Sequence, residues 1–218
     1  MAKSDSDFFL AKAMDQIHLC IQKKVPRFTE FLDPIRRQFI QAKLTKYPQY
    51  SIVVTESGGY PEAERKMLGF SAESLNTSDF PITRIKIKYE TKHTGLSHGD
   101  FLGAILGLGL DRSNIGDIVL TPDYAVVIAA MQIEDFILFN LSKVGRASVS
   151  LSILQRDDFF YGLDNRRRDR ILCASLRLDN VLAAAYGLSR GDAAALVKSG
   201  KAFINWQETI SAAKTVRE

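Results

Sequence analysis

The sequence predicts an α+β protein in three parts: a helical N-terminal region, a middle domain ordered β-α-β-β-α-β, and a small C-terminal domain built on two helices. Three observations carry this. Apolar residues recur at helical spacing through the first 78 residues. Strands with period-two alternation then enclose two amphipathic helices between residues 79 and 155. Finally, the formal charge is uneven: residues 1–164 carry 19 Lys+Arg against 20 Asp+Glu, whereas residues 165–218 carry 10 against 5.

In the N-terminal region (1–78), "DFFLAKAMDQIHLCIQKKV" places Phe9, Leu10, Ala13, Ile17, Cys20 and Ile21 on one helical stripe, and Pro26 stops it. A second helix starts at "DPIRRQFIQAKL", with Asp33 as N-cap and Pro34 at the first helical position. "YSIVVTE" reads as a strand, "SGGYP" as a turn and "PEAERKMLGF" as a further helix, with acids in its first turn.

The middle domain (79–155) opens on "ITRIKIKYE", in which Ile85, Ile87 and Tyr89 alternate with Lys86, Lys88 and Glu90. "SHGDFLGAILGLGL" is a helix with Ser97 and Asp100 as a capping box. "GDIVL" and "YAVVIAA" are strands joined by the turn "TPD"; "IEDFILFNLSKVG" is a helix ending at Gly145; "RASVSLSIL" is the last strand. This order is the split βαβ, or ferredoxin-like, arrangement, which RNA recognition motifs share. The glycine-aromatic signature of those motifs is absent, and the strands offer only Tyr89 and Tyr124 for base stacking.

Residues 156–174 form a linker carrying Arg166, Arg167, Arg168 and Arg170, either a solvated connection or an arm that grips phosphate. In the C-terminal domain (175–218), Leu178, Val181, Leu182 and Ala185 make one buried stripe, closed by Gly187. Ser189 and Asp192 cap a second helix, Ala193, Leu196 and Val197 face inward, and Gly200 turns the chain into the strand "KAFIN". Arg177, Arg190, Lys198 and Lys201 fall off these stripes. Arg190 lies in the first helical turn, where the helix dipole disfavours a cation. A phosphate would explain that placement; the bland account is a long stem shielding apolar surface.

"RLDNVL" and "LSRGDAAALVKSGKAFIN" together resemble the S4 RNA-binding domain. "GGYPEAERKMLGF" and "SHGDFLGAILGLGLDRSNIGDIVL" resemble the body of YlmH-type proteins, also called photosystem II S4 domain proteins, so the likeness runs from about residue 28 to 216. It implies a non-enzymatic binder of structured ribosomal RNA or tRNA, with the large ribosomal subunit as an expected setting, in a family linked to the cell-division gene cluster. It also implies that Arg177, Asp179, Ser189, Arg190, Lys198 and Lys201 occupy the surface that meets RNA. Trp206 stands where many S4 domains carry glycine, and "AAKTVRE" stops short of the Gly-Asp turn and closing strands expected of the module. The native chain is therefore expected to run further, or its end to be missing.

Other chemistries are disfavoured. "LGLGLDRSNIG" is neither G-x-G-x-x-G nor a Walker loop, and its Gly103 and Gly107 read as helix-packing positions. His18, His93 and His98 have no metal-ligand spacing, Cys20 and Cys173 read as reduced core residues, and no cofactor is implied. No apolar run is long enough to span a membrane, which makes the cytoplasm (or a plastid stroma) the expected location. Two alternatives stay open: an RNA-modifying enzyme whose site lies around "HTGLSHGD", with His98 and Asp100, and a cell-division interaction module. Pseudouridine synthases use the aspartate of a similar Arg-Leu-Asp tripeptide catalytically, but here Asp179 falls within the S4-like helix, where holding the helix start and Arg177 is the favoured role.

Overall fold

A computed structural model describes residues 3–46, 51–89, 95–155, 170–204 and 207–216. The chain forms two compact units, Met1–Asp164 and Asn165–Glu218. Six α-helices and ten strands are present among the described residues, in three separate sheets.

The first unit begins with α1 (Lys3–Lys23), β1 (Arg27–Phe28) and α2 (Pro34–Leu44). Asp33 caps α2 as the sequence implies, its carboxylate accepting from the Arg36 amide at 2.8 Å. β2 (Val53–Ser57) and β3 (Met67–Ser71) complete a sheet of order β1-β3-β2, with both pairings antiparallel. The helices α1 and α2 cover this sheet through Ala13, Ile17, Ile40, Leu68 and Phe70.

The helix expected over "PEAERKMLGF" is corrected: residues 67–71 are the central strand of that sheet, all five buried. Tertiary contacts override the local helical pattern here. The Asp117 carboxylate accepts the amide hydrogens of Glu64 (2.7 Å) and Arg65 (3.1 Å) and the Tyr60 hydroxyl (2.8 Å), fixing residues 60–65 as a loop. Arg65 then reaches inward and donates to the Ile115 and Phe31 carbonyls, and burial pulls its guanidinium down to about 10. The first 78 residues thus hold a sheet as well as helices.

Gly58 shows how tight this corner is. A β-carbon there would lie 2.3 Å from the Ala63 β-carbon and 2.4 Å from the Arg65 carbonyl oxygen. Since that oxygen is backbone, Gly58→Ala is expected to destabilise the protein by about 2 kcal/mol, within the usual range for overpacking. Chemical denaturation would show it as a lowered midpoint with an unchanged slope.

Next come β4 (Ile82–Tyr89), α3 (His98–Leu106), β5 (Ile115–Leu120), β6 (Tyr124–Ala130), α4 (Glu134–Asn140), β7 (Lys143–Val144) and β8 (Ala147–Ile153). They form an antiparallel sheet of order β5-β6-β4-β8-β7. One face, carrying Ile85, Ile87, Ala125 and Val127, packs on Phe101 and Ile105 of α3 and Ile137 of α4. The helix expected to run to Gly145 ends instead at Asn140. Gly145, at φ 57°, makes the β7–β8 turn. Gly103 is also corrected: a β-carbon there would meet nothing within 4 Å, so it is no packing site.

The second unit holds α5 (Leu178–Tyr186), α6 (Arg190–Lys198) and the short pair β9 (Phe203–Ile204) and β10 (Gln207–Glu208). Leu178, Val197 and Ala202 form its small core, with Leu182 and Ile204 packed against them. Ala185 and Leu196, expected inside, are exposed. Gly187, at φ 64°, closes α5 as a left-handed C-cap. The segment after β10 returns to the start of α5: the Leu178 and Asp179 amides donate to the Lys214 and Ala212 carbonyls at 2.9 and 3.0 Å.

Candidate nucleic-acid interface

Asp179, in the first turn of α5, is the centre of the second unit's polar cluster and is only 3% exposed. Its Oδ1 accepts from Arg177 Nε (3.1 Å) and the Asn180 amide (2.9 Å). Its Oδ2 accepts from Arg177 Nη2 (2.9 Å) and from Arg190 Nε of α6 (3.2 Å). The hydrogen bonds from Arg177, joined by that from Arg190, hold the Asp179 carboxyl down at about 2 despite its burial. The same contact raises the Arg177 guanidinium above its ordinary value.

One carboxylate therefore meets two guanidiniums, and the cluster keeps one positive charge in excess. The arginine side chains stay 41% and 59% exposed. Each has five N–H donors, of which Asp179 engages two on Arg177 and one on Arg190. Pairing does not exhaust them. Asp179 orients two forks whose remaining donors can take a phosphate bidentately.

Ser189 caps α6: its hydroxyl oxygen accepts from the Asp192 amide at 3.1 Å and its hydroxyl donates to the Asp192 carboxylate at 2.6 Å. Its hydroxyl is thereby committed to the helix end. Along α6, Arg190, Ala194 and Lys198 fall at i, i+4 and i+8, one row about 12 Å long. The alanine between the cations leaves room for a backbone to approach.

Lys198 and Lys201 are exposed and make no ion pair among the described residues. Arg170 is exposed as well, whereas Arg166, Arg167 and Arg168 lie outside the described residues, as do His93 and Trp206. Arg177, Asp179 and Arg190 are thus joined in one cluster, with Ser189 beside Arg190; Lys198 and Lys201 stand without a bonded link to it. The sequence anticipates that Asp179 holds Arg177, two residues before it; what it did not disclose is the second contact, from Arg190 of α6 eleven residues on, which no local spacing encodes.

Of the segment proposed for catalysis, residues 95–100 are described, and Ser97 and Asp100 cap α3. His98 is exposed, and the Asp100 carboxylate accepts from the Ser97 amide and hydroxyl, both at 2.7 Å. These bonds lower the Asp100 pKa and account for the residue as a cap. Cys20 is buried, its thiol donating to the Phe70 carbonyl, but Cys173 is only partly buried and so is no core residue. Among the described residues, no group of three or more His, Cys, Asp or Glu could hold a metal ion, and no helix is long and apolar enough to cross a membrane.

Fold and site define a mixed α/β protein made of a larger sheet unit and a small cation-bearing two-helix module. Residues 76–158, which span the five-stranded sheet, match the family model described as a putative RNA-binding domain in YlmH. Over 208 residues the chain is 32% identical to the ribosome-associated protein quality control protein P2 of Bacillus subtilis (strain 168), covering 94% of this chain and 79% of that one. The solved cell division protein YlmH from Streptococcus pneumoniae is similar in fold, with a TM-score of 0.60 and 25% identity over 73% of this chain and 96% of that one. The chain belongs to the YlmH family.

Proposed function

We propose that this protein is a non-catalytic, cytoplasmic RNA-binding protein that works on the ribosome, holding structured ribosomal RNA or tRNA through an S4-type C-terminal domain. The observation that carries this is the buried Asp179 carboxylate orienting Arg177 and Arg190 with donors to spare. Asp179 and Ser189 position the site; Arg177, Arg190, Lys198 and Lys201 meet phosphate; Arg170 and the arginines at 166–168 assist from the linker. The five-stranded unit is read as a ferredoxin-like domain, since its strand order places the first and third of the split βαβ strands side by side. The ribosomal setting draws on the name of the Bacillus relative, and RNA on the description of the family model.

Binding of this kind is electrostatic, with each neutralised phosphate contributing a little under one unit to the slope of log affinity against log salt. Arg190→Gln and Lys198→Gln should each flatten that slope by about one unit in titrations of labelled ribosomal RNA fragments. An affinity indifferent to salt would overturn the reading. A second reading, an interaction role in cell division, is favoured by the name of the streptococcal protein. Recovery of RNA with the wild-type chain and its loss with Arg190→Glu would decide against that reading.

A further inference from the structure

The face of the five-stranded sheet away from α3 and α4 raises a separate question. By register, Lys88 stands between Tyr124 on β6 and Ser150 on β8, and Lys86 stands between Val126 and Ser152. Cross-strand partners share a face. Lys143 of β7 pairs with Ser148, two residues from Ser150 and so on this same face. Lys88, Lys143 and the three serines are exposed.

Lysine on a strand ordinarily protects a sheet edge from pairing with another chain. That account fails for Lys86 and Lys88, because β4 is the middle strand of five. They also lie on one face about 7 Å apart along the strand, a mild like-charge repulsion that an anion between them would relieve. Lys86 reaches Tyr124, with its ammonium 4.0 Å from the ring centroid. In the sequence alternation Glu90 follows Lys86 and Lys88 and lies outside the described residues; the three lysines outnumber it. The result is a cationic centre bordered by a row of hydroxyl donors.

Gly59 covers the part of this face that carries Ile82 and Ile128, which leaves the part around Lys88 exposed. We infer that this exposed part is a second RNA-contact surface, on which Lys86, Lys88 and Lys143 take backbone phosphates and Ser148, Ser150 and Ser152 bond to phosphate or ribose oxygens. Lysine and serine read no base edges in this arrangement, so recognition is of the backbone and independent of sequence. The inference rests on the reading that the chain binds RNA and adds where a second strand segment is held, apart from the C-terminal cluster.

The test uses the full chain and a fluorescein-labelled RNA hairpin with single-stranded flanks, titrated at several salt concentrations. Lys86→Gln/Lys88→Gln/Lys143→Gln should flatten the salt slope by about two units or more. Should the triple variant not fold, Lys88→Gln/Lys143→Gln, confined to exposed positions, should flatten it by more than about one unit. Unchanged slope and affinity in the folded variants would overturn the inference. So would unchanged RNA binding together with lost binding of polyglutamate, which would assign the face to an acidic protein. A parallel Arg190→Gln/Lys198→Gln variant separates the two sites. Flattening by the lysine variants alone supports the sheet face while the C-terminal reading fails, and flattening by the arginine-lysine pair alone does the reverse.

Discussion

Asp179→Ala should lower RNA affinity on the order of tenfold or more at about 0.1 M salt, the scale of losing one phosphate contact outright. The direction is informative because the substitution removes a negative charge. If net charge alone governed binding, it would tighten the complex. In the structure, however, Asp179 is the acceptor that holds Arg177 and Arg190 in place across two helices. Without it both side chains regain rotamer freedom that must be lost again on binding. Fluorescence anisotropy on the full chain, with far-UV circular dichroism as a check on folding, reads the result. Affinity unchanged or improved would show that the clamp does not organise the site.

The same carboxylate gives a pH dependence. Its folded value of about 2 lies below the ordinary aspartate value of about 4. A group with a depressed folded pKa stabilises the native state fully above the unfolded value, and that contribution disappears as pH falls through the folded one. The clamp therefore holds at neutral pH and loosens in the window from about pH 4 to pH 2. In Asp179→Asn, this part of the acid limb should be missing.

Capping and alternation were readable in the sequence because they are local. Asp33, Ser97 and Ser189 stand where their capping partners require, and Lys86 and Lys88 alternate with the buried Ile85 and Ile87. The failures lie where distant contacts decide or where one local signal serves two structures. The "ERKMLGF" stretch has a helical pattern, yet Asp117, more than fifty residues away, fixes the loop before it and two neighbouring strands take up its backbone. Gly145 looked like a helix end because a turn glycine and a C-cap glycine share the same left-handed conformation. In the candidate site, sequence supplied the cations but not their arrangement. Register placed the central lysines beside Ser150 and Ser152 of β8, and that neighbourhood exists only once β8 has paired with β4.

The α3 segment separates the binding reading from the enzymatic one. Phe101 is fully buried, its ring 5.6 Å from that of Tyr89 at 54°, between the helix and the sheet. Phe101→Ala removes the largest side chain α3 contributes to the core and should cost about 3–5 kcal/mol, enough to threaten a marginally stable domain. His98→Ala touches an exposed position and should leave stability near that of the parent. Asp100→Ala removes the acceptor for the Ser97 amide and should cost a smaller, measurable amount as the cap is lost. A catalytic site around "HTGLSHGD" predicts the opposite ranking: His98 and Asp100 would abolish an RNA modification while leaving folding intact. Urea denaturation of the three variants, alongside mass analysis of RNA incubated with the parent, distinguishes these outcomes. Both Asp100 contacts lie at the start of α3, one turn before its buried face, so loss of the cap and loss of the Phe101 ring should weaken the same helix to different degrees.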